Sequence, residues 1–393
     1  MMETMQERRF DALNAWRGIG AAAVAVYHFN YVIHSHISDM APLAGVYVML
    51  DFFFVLSGFV IASNYEKRMA EGYAVKDFMV RRFMRIYPLH FFTLILLVGL
   101  EMTKFVIPVG GGPFASDYKS IDSLFANIFL LQGMGIYGIT TWNAPSWSIS
   151  VEFFTYILFA VSVLWLRHRL WMLCLASVII VPAALYFAGI QTMDLTTHGA
   201  IFRSIYGFSA GVLCYHLYLW CAQYSNWKKF LPVLEILAVV AVAGFIVFLG
   251  LTKFSLLSPL FLMPVTIIFA FEGGPVSRFL KQKIFMVLAL LSYSAYLMHY
   301  VLHQIFFGIF KTYEKLSGQT IIHHTTNALG MTDETINLGL WFGDLMQVLM
   351  LAIVFGVSYF TCRYIELPFN EWGRRYVRRK SAANSIVEPA TAV

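Results

Sequence analysis

Charge is what this sequence has least of. Only 13% of its 393 residues are Asp, Glu, Lys or Arg, against roughly 25% in soluble domains, which argues against a soluble globular fold. Cysteine is also scarce. Cys174, Cys214, Cys221 and Cys362 are the four; they lack metal-ligand spacing and fall toward inner span ends, so free thiols are expected and no metal site. No period-two alternation suggests barrel strands. No internal repeat is visible, which weighs against a transporter built from repeated halves. Nucleic-acid motifs and aromatic–basic stacking platforms are missing too, so the net charge of +6 is assigned to topology and anionic lipid rather than to nucleic acid. The GGGP run at 110–113 lacks the strand, helix and Lys of a phosphate loop and reads as a turn. Nor is a cleavable leader expected, because Glu3 and Glu7 accompany Arg8 and Arg9, and Arg17 interrupts the first apolar stretch.

What is abundant is apolar surface: 59% of residues are hydrophobic and the mean hydropathy is +0.68. Several runs reach the roughly 20 residues that cross a bilayer as a helix. The expected fold class is therefore an all-α polytopic membrane protein, a single membrane domain over 1–380 with a short disordered polar tail at 381–393. Ten spans are predicted, at about 14–34, 43–64, 86–109, 147–166, 170–189, 201–220, 231–251, 254–272, 285–310 and 339–363. Residues 124–138 are apolar but short and glycine-bearing, and read as a re-entrant or interfacial segment. The loop from Thr312 to Asn337 is the longest and suits a lid over the outer face. With both termini cytoplasmic, only Lys104, Lys119, Arg203, Lys253, Lys311 and Lys315 of the 28 Lys and Arg residues face outward. That asymmetry is what the positive-inside rule demands. An eleventh span at 124–138 would invert everything after it.

The first span carries two residues foreign to hydrocarbon, Arg17 and His28. Eleven steps of about 100° return almost to the starting angle, so both lie on one helical face, about 16 Å apart. A lone intramembrane histidine is often only a helix-to-helix hydrogen bond. An arginine in register with it implies a polar interior lined by that face. Asp51 in the second span, Glu152 in the fourth, and Tyr296 and His299 in the ninth come to depths comparable with His28. On the inner side, KDFMVRRFMRIYP holds Arg81, Arg82 and Arg85; with Arg17 it offers guanidinium forks to a polyanion. As a plain topology anchor the same cluster would need no ligand.

These residues fall in segments that resemble the acyltransferase-3 family of integral membrane acyltransferases. The matching pieces are Arg17 and His28 with ten residues between, FFFVLSGFVI (52–61), RRFMRIYP (81–88), WSISVEFFTY (147–156), SYSAYLMH (292–299) and IELPF (365–369). They run in order over nearly the whole chain. The resemblance implies a ten-helix domain that takes acyl groups, acetyl or another short acyl, from cytoplasmic acyl-CoA. It implies transfer to a hydroxyl of a sugar, polysaccharide or glycolipid at the outer face, in a bacterial inner (plasma) membrane. It makes His28 the catalytic histidine, with Glu152 or Asp51 orienting the imidazole or the acceptor. Arg17, Arg81, Arg82 and Arg85 become the acyl-CoA contacts, and Trp147, Ser148 and Glu152 match the family's WS…E motif. Asn14 stands where the family often has aspartate and would support Arg17 without charge; Trp147, Ser148, Tyr296 and His299 would support the acceptor side. No permanently bound cofactor is implied, acyl-CoA being a co-substrate. The competing reading is a glycolipid or polysaccharide transporter or flippase, in which the same polar residues only bind.

Overall fold

The computed structural model describes residues 9–106, 112–326 and 332–387. The residues Glu3, Glu7 and Arg8, half of the GGGP run and the last six residues of the expected tail lie outside this range. Eleven longer helices carry the architecture: α1 (Asp11–Phe29), α2 (Met49–Ile61), α3 (Val75–Met102), α4 (Trp147–Leu166), α5 (Leu170–Phe187), α6 (Ala200–Ala222), α7 (Leu231–Gly244), α8 (Ser258–Phe271), α9 (Lys283–Ser317), α10 (Leu340–Thr361) and α11 (Leu367–Val387). Among the described residues, eight stretches are long and apolar enough to cross a membrane. One of them, 144–187, contains both α4 and α5, broken where Arg167 takes a positive φ of 45°. α1 falls outside the eight because Asp11, Asn14, Arg17 and His28 dilute it. The chain is thus an all-α polytopic membrane protein, its first ten long helices matching the expected spans.

The boundaries shift for physical reasons. α1 ends at Phe29, short of the expected His34, because the chain turns there and Ile33 pairs with Ile336. α3 starts at Val75, eleven residues before the apolar run. The KDFMVRR turns are helical too, since Lys and Arg stems extend a helix beyond hydrocarbon. α10 passes through a wide turn at Cys362–Glu366 into α11, which packs along α3 and runs to Val387, so residues 381–387 of the expected tail are helical. The long loop expected to be a lid begins later, after Ser317, and contains a hairpin of β1 (Ile322–Thr326) and β2 (Thr332–Ile336) in antiparallel register.

Residues 124–138 do not cross the bundle. They form the end of a short helix, Ile121–Ile128, and then turns in which Leu130 has φ 57°. Irregular backbone at depth needs internal partners, and buried side chains supply them. His90 donates to the Asn127 carbonyl (2.9 Å), Ser150 Oγ donates to the Leu130 carbonyl (2.5 Å), and the Gly133 amide donates to Ser150 Oγ (3.1 Å). Asn143 ties the segment's end to Thr93 and the Leu297 carbonyl, both at 3.2 Å.

At the centre, α1 and α9 run parallel in close contact. Gly18 permits this: a Cβ there would stand 2.7 Å from the backbone of Leu288 and Ala289. Ala15, Ala21, Val24 and Ala25 bury the rest of that face. The helix too polar for lipid is therefore the one the bundle encloses.

Candidate active site

The α1–α9 seam carries two polar layers. In the first, Arg17 Nε donates to Ser292 Oγ (3.0 Å) and Nη2 to the Ala289 carbonyl (3.4 Å). Arg17 also lies within electrostatic range of Arg85, Glu366 and Glu152. Glu366 accepts from Ser294 Oγ at 2.8 Å, and Glu152 accepts from the Tyr156 hydroxyl at 2.7 Å, which also bonds Ser57. Two guanidiniums and two carboxylates thus share one half-buried layer. Asn14 makes no side-chain hydrogen bond to Arg17 among the described residues; α9 holds the arginine instead. The Arg81–Arg85 cluster divides. Arg82 is buried and donates to the Tyr65 hydroxyl (3.2 Å), and Arg81 lies over the Tyr65 ring at 5.6 Å. Only Arg85 turns toward Arg17.

The second layer surrounds His28. Its Nδ1 lies 2.8 Å from the Val24 carbonyl. A carbonyl only accepts, so Nδ1 carries the proton and Nε2 keeps the lone pair. That is the tautomer a general base needs. The ring centroid of His299 lies 4.9 Å from that of His28. One helical turn further along α9, His303 sits in electrostatic range of both His28 and Lys119. Lys119 descends from the loop between α3 and α4. It is 5% exposed, donates to Gln304 Oε1 (3.2 Å) and pairs with Glu101 (3.4 Å). Burial pushes its ammonium below the ordinary lysine value while Glu101 opposes the shift. Ser148 Oγ and the Tyr296 hydroxyl are 2.7 Å apart and both bond the Pro145 carbonyl, fixing the start of α4 to α9.

Asp51 is not beside His28. Arg203 Nε donates to its Oδ1 (2.7 Å), while Arg203 Nη2 (3.2 Å) and Ser258 Oγ (2.8 Å) donate to Oδ2. With both oxygens taken, this carboxylate is a counter-ion in a fully buried pair, not a group free to orient an imidazole. Trp147 stands on that pair, with the Arg203 guanidinium 5.5 Å from its ring. Glu152 belongs to the Arg17 layer rather than to His28. Sequence reasoning gave no role to Glu366, His303, Lys119 or Arg203. Glu366 had a signal in the IELPF segment, and Arg203 in being an outward-assigned cation inside a span.

No group of three or more His, Cys, Asp or Glu residues among those described could hold a metal ion. The four cysteines are free thiols.

Fold and site together define a polytopic membrane protein with a charged, histidine-bearing interior. The chain belongs to the acyltransferase-3 family: the family profile, described as an acyltransferase domain, matches residues 10–365. It is a membrane acyltransferase. It is similar to protein 2 in the picA locus of Rhizobium radiobacter, 26% identical over 203 residues, covering 47% of this chain and 100% of that protein. It is also similar to the acyltransferase MdmB of Streptomyces mycarofaciens, 34% identical over 157 residues, covering 37% of this chain and 36% of that protein. No solved structure matches the chain.

Proposed function

We propose that this acyltransferase moves an acetyl or other short acyl group from cytoplasmic acyl-CoA to a hydroxyl of a sugar, polysaccharide or glycolipid at the outer face of a bacterial plasma membrane. The observation that carries the reading is the ordered pair on α1. Arg17 sits in a layer rich in guanidinium, and His28, three turns on, has its base nitrogen free and its tautomer fixed by Val24. Arg17 and Arg85 hold the CoA phosphates as charge-assisted forks, with Glu152 and Glu366 keeping the layer from being purely cationic. The pantetheine arm then follows the Arg17–His28 face.

His28 Nε2 takes the proton of the acceptor hydroxyl as its oxygen bonds the thioester carbon. Collapse of the adduct breaks the C–S bond, and the proton passes to the departing sulfur. General-base assistance of this kind contributes about 10²–10⁴-fold. The Ser148–Tyr296 pair and Lys119 border the acceptor's approach.

His28→Gln is the test. It keeps a hydrogen bond but cannot take the proton, so turnover should fall by about 10²-fold or more with little change in donor KM. Near-wild-type turnover would reduce His28 to a packing residue. A flippase would show no CoA release from acetyl-CoA by the purified protein, whatever acceptor extract is added.

A further inference from the structure

We infer that His299 is a positioning residue for His28, supplying the lone pair that receives the N–H which His28 gains when it takes the acceptor's proton. The inference rests on His28 being the base. His299 is fully buried, and its Nδ1 lies 3.1 Å from the Ala295 carbonyl, so that nitrogen carries the hydrogen and Nε2 the lone pair. Nε2 is closed to water and has no hydrogen-bond partner among the described residues. A buried acceptor left empty costs free energy, so such a lone pair calls for a donor that arrives later.

The groups facing it are few. From its own helix come Tyr296, with ring centroids 5.9 Å apart, and His303 one turn on; Lys119 lies beyond His303; from α1 comes His28 at 4.9 Å. The Tyr296 hydroxyl is committed to the Pro145 carbonyl and Ser148, and Lys119 to Gln304 and Glu101. His303 accepts from Gln304 Nε2 at Nδ1, 3.3 Å away, which puts its own hydrogen on Nε2, and that N–H makes no hydrogen bond to His299 Nε2. His28 alone acquires a new N–H during the cycle. At rest, both rings donate from Nδ1 to their own helix and keep Nε2 bare. One proton then serves both, bound to His28 Nε2 and hydrogen-bonded to His299 Nε2, until it leaves for the thiolate. His299 ends the cycle unchanged.

Diethyl pyrocarbonate, which acylates imidazole in its neutral form and not as imidazolium, tests this without an acceptor. The carbethoxylation rate of His28, read by peptide mass spectrometry across pH on the full-length protein in nanodiscs, gives its protonation midpoint. In His299→Leu the midpoint should move to lower pH by about one unit, a tenfold loss of proton affinity. His299→Phe keeps an aromatic ring without the lone pair and should match Leu. His299→Gln keeps an acceptor oxygen and should stay near wild type. An unchanged midpoint in both Leu and Phe, or equal shifts in all three variants, would overturn the inference. The base reading fails separately, through turnover of His28→Gln, whatever the midpoint does.

Discussion

Two intramembrane carboxylates that look alike in the sequence, Asp51 and Glu152, serve different neighbours. Asp51 neutralises a fully buried arginine with both of its oxygens; Glu152 shares its layer with Arg17 and a tyrosine. Asp51→Asn leaves Arg203 with Asp194, 3.8 Å away, as its one carboxylate among the described residues, beside the Tyr47 and Leu195 carbonyls. Removing one partner of a buried pair typically costs about 3–5 kcal/mol, so a clear fall in melting temperature in detergent is expected. An Asp51→Asn protein that melts normally but does not turn over would return Asp51 to the chemistry. The arginine cluster divides in the same way. Arg85→Ala should raise the donor KM several-fold while leaving acceptor dependence alone, because Arg85 is the member that faces Arg17. Arg82→Ala should act on stability, through the lost Tyr65 contact. Equal donor KM values for Arg85→Ala and wild type, in correctly inserted protein, would make the cluster a topology anchor.

At the scale of elements, the site exists because two parallel helices touch. The Arg17–Ser292 bond and the His28–His299 contact both cross the α1–α9 seam. Gly18→Val places methyl groups where a Cβ already stands 2.7 Å from backbone, and backbone cannot swing aside as a side chain can. The helices must part, so folded yield and turnover should both drop. Gly99→Ala, which meets nothing within 4 Å, is the matched control. Wild-type melting and activity in Gly18→Val would mean the seam is looser than its packing indicates. Helix existence was legible here: 147–166 is α4 residue for residue. The start of α3 was not, because hydropathy reports where hydrocarbon ends and hydrogen bonding decides where the helix ends.

At the scale of the molecule, the loops sort into two ends. One gathers the start of α1, whose Ala12 amide donates to Glu272 (2.9 Å), the Glu272–Lys281 pair, and the Lys380–Asp77 pair (3.0 Å). The other gathers the Lys119–Gln304 bond, the His36–Asp344 contact (2.7 Å) and the hairpin joined to Ile33. If the basic end is cytoplasmic, an impermeant thiol reagent applied from outside should label Tyr118→Cys and Gly318→Cys but not Glu71→Cys or Gly273→Cys. Outside labelling of Glu71→Cys would invert the protein in the membrane and with it the donor and acceptor sides.

The sequence by itself determined the class of solvent, the places of the first ten long helices and the stripe shared by Arg17 and His28. Each depends only on composition or on helical angle, which are local. Tertiary structure alone decided the partners: that Asp51 answers Arg203 across 152 positions, that Ser292 rather than Asn14 holds Arg17, and that His299 meets His28. A charge in a membrane must find a counterpart, but periodicity gives only its angle and depth on its own helix. Which neighbour occupies the facing position is settled by packing, and here by a glycine small enough to let two helices meet.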